Sequence, residues 1–341
     1  MNPLEQLPIP LLQWYHENAR VLPWRSAPTP YHVWVSEIML QQTRVAAVLG
    51  YYQRFMEALP TVEDLAAVEE DKLLKLWQGL GYYNRARSLK KAARQIVDGW
   101  AGRFPENYED LLKLAGVGEY TAGAIASIAF GVPVPAVDGN VLRVVARMTG
   151  DDGDITRPQT RNRIREGLRA AMPLEAPGDF NQALMELGAT VCLPNGAPAC
   201  GRCPAQGFCQ ARLQGRTGEL PVKPPKAERR VEERTVFLIF HGGRVALRRR
   251  ADRGLLAGLW EYPNELAPAP CPVEARTLEP GPTGKHIFTH MEWRMTSTAV
   301  EAAGPALPEG WVWAGREELR ERYAVPNAFR TFGAYVQGRI S

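Results

Sequence analysis

Four of the five cysteines, Cys192, Cys200, Cys203 and Cys209, stand within eighteen residues in the pattern C-x7-C-x2-C-x5-C. Thiolates this close along a chain can wrap a single inorganic centre. The irregular gaps differ from the paired C-x2-C knuckles of a zinc ribbon. A 4Fe-4S cube takes four thiolates from one tight loop or from two, so an iron-sulfur cluster is the leading reading. A zinc site or a disulfide pair stays open on spacing alone. The disulfide is the weaker rival because nothing in the sequence points to export.

The opening MNPLEQLPIP has neither a basic head followed by an apolar core nor anything resembling a cleavage site. No stretch approaches 18 uninterrupted apolar residues, and a soluble, reducing compartment is expected. At 341 residues the chain has room for two domains, each with its own core. A formal charge of +4 permits a polyanionic partner without demanding one.

The character of the sequence changes near residue 220. Up to Arg212 apolar residues recur at three- and four-residue spacing, as in Leu65, Val68, Leu73, Leu74, Leu76 and Trp77, which predicts helices. A charged connector follows, Gly218 to Glu233, where Pro221, Pro224 and Pro225 block helix and favour extended chain. Beyond it Thr235 to Phe240 is a β-type run, and His241-Gly242-Gly243 reads as a turn into Arg244–Leu247. The domains are expected at 1–217, helical, and 234–341, mixed α+β, with 218–233 as linker. Low-complexity tracts and internal repeats are absent.

In the helical half, Leu111-x-x-Leu114-Ala115-Gly116-Val117-Gly118-Glu119-Tyr120-Thr121-Ala122 places two glycines around one apolar residue between two helices. Such a turn presents backbone N–H groups at the start of the next helix, a geometry that can hold a phosphate. Most Gly-x-Gly turns only connect helices. The helix after it, Thr121 to Phe130, is rich in Ala and Gly, which permits close helix packing.

With Val137-Asp138-Gly139-Asn140-Val141 and the cysteine loop behind it, this hairpin (about 107–130) resembles the helix-hairpin-helix DNA glycosylase superfamily, the endonuclease III fold. Further segments resemble its adenine-specific branch, the adenine DNA glycosylases (MutY). They are Leu22-Pro23-Trp24-Arg25, Trp34-Val-Ser-Glu37-Ile-Met-Leu40-Gln41-Gln42-Thr43, Gly79-Leu-Gly81-Tyr82-Tyr83 and Phe180-Asn-Gln-Ala-Leu-Met-Glu186-Leu-Gly. The likeness spans nearly the whole chain. It implies base excision repair of adenine mispaired with 8-oxoguanine or guanine in duplex DNA, a 4Fe-4S cofactor, a monomer, and a cytoplasmic, nucleoid-associated bacterial enzyme.

Cleavage of an N-glycosidic bond passes through an oxocarbenium-like sugar, so an acid should protonate the leaving base and a carboxylate should face the developing cation. Glu37 and Asp138 suit those roles. Glu37 lies in an apolar helix between Trp34 and Met39-Leu40, where desolvation raises a carboxyl's pKa; a solvated helix carboxylate is the alternative. Asp138 also reads as a helix N-cap. The resemblance assigns Glu37 to proton donation at adenine N7 and Asp138 to the sugar carbon, with Asn140 orienting Asp138 and Tyr120 reaching the same site.

Endonuclease III carries a lysine where Tyr120 stands, and that amine forms a Schiff base and cuts the strand. A phenol cannot form an imine, so a monofunctional glycosylase is expected. The resemblance makes Gln42 and Tyr82 wedges that fill the gap left by the extruded base, and Trp24, Arg25, Leu40 and Glu186 parts of an adenine pocket. It assigns Gly116, Val117 and Gly118 to the DNA backbone and Cys192, Cys200, Cys203 and Cys209 to the cluster. Tyr82 and Trp24 also read as ordinary core aromatics.

In the second half Gly254–Pro263 and Lys285-His286-Ile-Phe288-Thr289-His290 resemble the C-terminal domain of that family, related to the Nudix hydrolase MutT. The glutamate-rich G-x5-E-x7-R-E-x2-E-E pattern that would hold divalent cations is missing, and Glu317-Glu318 reads as a charged helix start, so pyrophosphohydrolysis is not expected. Recognition remains, with Phe288, Thr289 and His290 reading 8-oxoguanine. This chain departs from the family twice: Thr289 replaces the usual serine, and Leu193–Ala199 makes the first cysteine gap one residue longer. A bifunctional glycosylase/AP lyase and a non-catalytic lesion-binding protein are the alternatives. The first wants a lysine at position 120, and the second has no need of Glu37 and Asp138.

Overall fold

The structure, a computed structural model, describes residues 2–225 and 228–341. It divides into two compact units, Met1–Ala67 with Ser88–Pro225, and Val68–Arg87 with Lys226–Ser341. Lys226 and Ala227, inside the stretch read as a connector, lie outside the described residues.

The helices in chain order are α1 (Pro8–Asn18), α2 (Pro23–Ser26), α3 (Pro30–Leu40), α4 (Val45–Ala58), α5 (Val62–Ala67), α6 (Glu70–Leu76), α7 (Asn84–Trp100), α8 (Tyr108–Leu111), α9 (Glu119–Phe130), α10 (Gly139–Thr149), α11 (Pro158–Ala171), α12 (Pro177–Thr190), α13 (Gln210–Leu213), α14 (Arg316–Glu321) and α15 (Arg330–Gln337). Proline opens α1, α2, α3, α11 and α12, where its missing N–H costs nothing. In α7 the buried residues Leu89, Ala92, Ala93 and Ile96 follow the spacing of one helical face.

The core of the first unit gathers α1, α10 and α12: Leu7 and Leu11 meet Val141, Val144, Val145 and Met148, and Phe180, Leu184 and Leu187 close the cluster. The small residues of α9 do bring backbones together. A Cβ on Gly123 would stand 2.7 Å from the Pro135 carbonyl oxygen, so only glycine fits there. Fully buried Asn181 fixes the same Val134–Ala136 stretch, accepting from Ala136 N at 2.9 Å and donating to the Val134 carbonyl at 2.9 Å. That stretch leads directly into Asp138.

The second unit is built on an eight-stranded mixed sheet. Its strands are β1 (Arg230–His241), β2 (Arg244–Arg249), β3 (Trp260–Glu261), β4 (Asn264–Leu266), β5 (Ala275–Pro280), β6 (Gly284–Ile287), β7 (Met291–Ala302) and β8 (Trp311–Ala314). The central pair, β1 and β7, runs parallel, and the other pairings are antiparallel. Strand β1 begins at Arg230, earlier than its apolar run suggests, because Arg230–Glu233 pair with Met291–Arg294 in the parallel ladder. Val236, Leu238 and Phe240 join a core with Phe329 and Phe332, while Phe237 and Ile239 join a second core with Val300. This period-two split explains why the run is apolar throughout.

The segment Val68–Arg87 is tied into this unit by polar contacts. Lys75 Nζ donates to the Leu319 carbonyl at 2.8 Å, and Gln78 Nε2 to the Val325 carbonyl at 2.7 Å. Asn327 Nδ2 donates to the Gly79 carbonyl at 3.1 Å. Burial lowers the Lys75 pKa to about 8.

Candidate active site

Helix α3 is apolar on nearly every side, with Val33, Trp34, Val35, Ile38 and Met39 buried, and Glu37 is carried in with them at 6% exposure. Burial pushes its pKa up to about 7. The Tyr120 hydrogen bond and the Arg25 charge oppose this, and the Asp138 charge adds to it. A carboxyl so placed holds its proton near neutrality, as a general acid must.

Tyr120 stands on the first turn of α9, immediately after the glycine hairpin. Its hydroxyl donates to Glu37 Oε2 and lies 3.3 Å from Met185 Sδ on α12. Burial, then the charges of Glu37 and Asp138, raise its pKa well above the usual value, so it remains a phenol.

Asp138 is the N-cap of α10: Oδ1 accepts from Val141 N at 2.8 Å and Oδ2 from Asn140 Nδ2 at 2.8 Å. Burial raises its pKa against these hydrogen bonds. Capping and a presented carboxylate are thus compatible in one residue. Asn140 is held in turn by Arg143, whose Nη2 donates to Asn140 Oδ1 and to the Gly188 carbonyl, both at 2.8 Å, while its Nε donates to the Cys192 carbonyl at 2.8 Å. Asp138 is therefore connected by hydrogen bonds to the first cysteine.

Glu186 is buried at 1% exposure and gripped by two guanidiniums: Arg20 Nε at 2.5 Å and Nη2 at 3.0 Å, and Arg25 Nη2 at 2.8 Å. Burial alone would raise its pKa, but Arg20 and Arg25 outweigh burial and hold it low. Trp24 beside Arg25 is buried, edge-on to Tyr52 at 5.1 Å between ring centroids. Leu40, half-buried, ends α3, and Gln42 just beyond it is exposed with φ 59°.

Around the hairpin, Gly116 adopts φ 73°, Val117 is buried, and Gly118 caps α9 with no side-chain hydrogen bond. Gly118 offers the first turn of α9 no side-chain cap, an arrangement that suits a phosphate.

The four cysteines line one small pocket with Val144, Met148, Leu187 and Val191. Burial pushes the Cys203 thiol up to about 12, and the charges of Cys192, Cys209 and Cys200 act in the same direction. Arg147 Nη1 lies 3.4 Å from Cys192 Sγ, a cation beside the thiols. Among the described residues no three His, Cys, Asp or Glu side chains converge as ligands of a single metal ion. Four thiols lining one pocket with a cation beside them suit a group bound through thiolates, since ligation displaces the thiol protons.

In the second unit Phe288, Thr289 and His290 form the turn between β6 and β7, closed by Phe288 N donating to the Met291 carbonyl at 2.7 Å. Phe288 packs edge-on to Trp293 at 4.9 Å, while Thr289 and His290 are exposed. Tyr82 is 48% exposed, has φ 48°, and its hydroxyl lies 2.9 Å from Thr289 Oγ1. It is not a core aromatic; Trp24 is. Gln42 and Tyr82 are two of the four non-glycine residues with positive φ among the described residues, a strained conformation that concentrates at functional sites.

Glu37, Tyr120, Asp138 and Asn140 are thus brought together with Arg25 and Glu186 in the first unit, and Tyr82 with Phe288, Thr289 and His290 in the second. Arg20, Arg143 and Met185 are not singled out by sequence motif. The signal available for Arg143 is a lone cation in the apolar stretch Val141–Ala146.

A helical body carrying a glycine hairpin, a buried acid and a capped aspartate defines a DNA N-glycosylase of the helix-hairpin-helix class. Residues 35–170 match the HhH-GPD superfamily of base excision DNA repair proteins, and residues 235–334 match the NUDIX domain. The adenine DNA glycosylase of Rattus norvegicus is 36% identical over 96% of this chain and 78% of its own length; that of Homo sapiens is 35% identical over 96% and 73%. Similar solved structures include a thermostable thymine-DNA glycosylase (TM-score 0.57, 28% identity, 62% of this chain and 97% of that one). A non-covalent endonuclease III–DNA complex is also similar (TM-score 0.53, 26% identity, 63% and 99%). The chain belongs to the adenine DNA glycosylase family.

Proposed function

We propose that this enzyme hydrolyses the N-glycosidic bond of adenine paired with 8-oxoguanine or guanine in duplex DNA, and leaves an intact abasic strand. The observation that carries the reading is Glu37, buried in α3 with its pKa near 7, hydrogen-bonded by Tyr120 and close enough to Asp138 for that charge to raise it further.

Glu37 gives its proton to adenine N7 as the bond to the sugar breaks, and the electron pair leaves with the base. The carboxylate of Asp138, oriented by Asn140, faces or transiently bonds the cationic sugar carbon. The Glu37 carboxylate then takes a proton from the water that completes the sugar. Tyr120, held as a phenol, supplies no amine for strand cleavage. Trp24, Arg25, Leu40 and Glu186 form the adenine pocket, and Gln42 and Tyr82 fill the vacated stack. Gly116, Val117 and Gly118 contact the DNA backbone. Phe288, Thr289 and His290 read 8-oxoguanine. Residues 1–217 act as the glycosylase domain and 234–341 as the lesion reader, in a cytoplasmic, nucleoid-associated monomer.

Cys192, Cys200, Cys203 and Cys209 hold a 4Fe-4S cluster. When bound it fixes the loop from which Arg143 takes the Cys192 carbonyl and takes no part in hydrolysis. The pocket shared by the four thiols supports this.

The test is a duplex labelled on the adenine strand opposite 8-oxoguanine, with products resolved before and after hot alkali. Cleavage only after alkali is expected. Cleavage without alkali would restore the lyase, and tight binding with no cleavage would favour a lesion-binding protein.

A further inference from the structure

The Tyr120 hydroxyl has two acceptors and one proton. It reaches Glu37 Oε2 on one side and Met185 Sδ, 3.3 Å away, on the other. A phenol has one O–H to donate and lone pairs to accept with, and a thioether sulfur is a weak, polarisable acceptor that never donates. The direction of the Tyr120 proton therefore depends on whether Glu37 Oε2 carries a proton.

When Glu37 is a carboxylate, Tyr120 donates to it. When Glu37 carries its proton on Oε2, the oxygen Tyr120 faces, that proton meets the phenol oxygen and the phenol proton turns elsewhere; a proton on Oε1 leaves Oε2 an acceptor and Tyr120 in place. Tyr120 is half-buried, and the protein partner the structure offers the turned proton is the Met185 sulfur at 3.3 Å. We propose that Met185 is a positioning residue for the proton donor: its sulfur receives the Tyr120 hydroxyl while Glu37 is protonated and releases it to the new carboxylate as the proton passes to the base. The contact then favours the acid before reaction, and the returning hydroxyl favours the carboxylate formed in it. The bond between Glu37 and its proton is exchanged for one between N7 and that proton as the glycosidic bond breaks, while the phenol proton stays on Tyr120 throughout and only its hydrogen bond passes from Met185 to Glu37.

The other groups facing Glu37 are accounted for. Tyr120 comes from α9, Asp138 from the start of α10 and Arg25 from α2, and Arg25 is itself engaged by Glu186 of α12 at 2.8 Å. Met185 precedes Glu186 on α12, so the sulfur is placed by the same helix that carries the pocket carboxylate.

The inference rests on Glu37 as the acid, and the experiment separates the two. Single-turnover adenine excision is measured from pH 5 to 9 for wild type, Glu37→Gln, Met185→Leu and Met185→Gln. In wild type the rate should fall as pH rises through about 7. Met185→Leu keeps the volume and removes the acceptor; its midpoint should move down by roughly half a pH unit, with the low-pH plateau within about twofold of wild type. Met185→Gln restores a stronger acceptor and should bring the midpoint back or above. If both variants keep the wild-type midpoint and lose rate equally at every pH, Met185 is packing and the proposal fails while Glu37 stands. A flat wild-type profile, or wild-type excision by Glu37→Gln, overturns both.

Discussion

Gly188 of α12 lies directly against Asn140 of α10: a Cβ placed on Gly188 would come within 2.6 Å of Asn140 Cβ and 3.2 Å of its Cα. The same glycine's carbonyl accepts from Arg143, which holds Asn140, which holds Asp138. Gly188→Ala should therefore push the carboxamide off Asp138 and lower single-turnover excision by about tenfold or more, with duplex binding retained. An unchanged rate in a folded Gly188→Ala protein would mean the Asp138–Asn140 bond does not govern the chemistry.

The raised pKa of Glu37 also predicts a stability effect. Between the ordinary carboxyl value of 4.5 and the folded value of about 7, the native state binds more protons than the unfolded one, so stability falls as pH rises through that window and is level above it. The loss is at most about 3 kcal/mol by the conversion of pKa shift to free energy. Glu37→Gln removes the penalty. Denaturant midpoints at pH 5 and 8 should show the variant more stable than wild type at pH 8 and little different at pH 5, while excision drops by orders of magnitude.

Glu186 is buried against Arg20 and Arg25, and removing one partner leaves charge behind. Arg20→Ala should cost about 1–2 kcal/mol, at the low end because 38% of the Arg20 side chain already meets solvent. Unfolding in urea reads this directly. A midpoint equal to wild type would show that Arg25 satisfies Glu186 alone.

His290 is exposed in the β6–β7 turn. His290→Ala should leave the fold intact and lower the ratio of excision rates for 8-oxoguanine:adenine over guanine:adenine. If the ratio holds, the turn is not the lesion reader.

The purified chain should contain about four iron and four sulfide per molecule, and Cys203→Ser should lose both together with thermal stability. One zinc per chain in their place would reverse the assignment of the cysteine pocket, and would be seen in the same metal analysis.

Much of the site was legible because its chemistry is concentrated in short segments. Glu37 in an apolar helix, Asp138 before Gly139-Asn140 and the Gly116–Gly118 hairpin are local patterns, and the structure keeps each as a helix-buried acid, an N-cap and a tight turn. The period-two apolar run at residues 235–240 likewise becomes a strand buried on both faces.

Contacts of long sequence separation were not legible. Arg143 to Cys192, Tyr120 to Met185 and Arg20 to Glu186 span 49, 65 and 166 positions, and no local pattern encodes such pairs. Trp24 and Tyr82 show the same limit. Both are aromatics beside Pro or Gly, yet one is buried against Tyr52 and the other is half-exposed with a left-handed backbone. Residue type and spacing determined which groups can act as acid, cap, turn or ligand, because those depend on a few neighbouring bonds. Burial, and with it the pKa of Glu37 and the direction of each hydrogen bond, was decided only when distant helices packed together and excluded water.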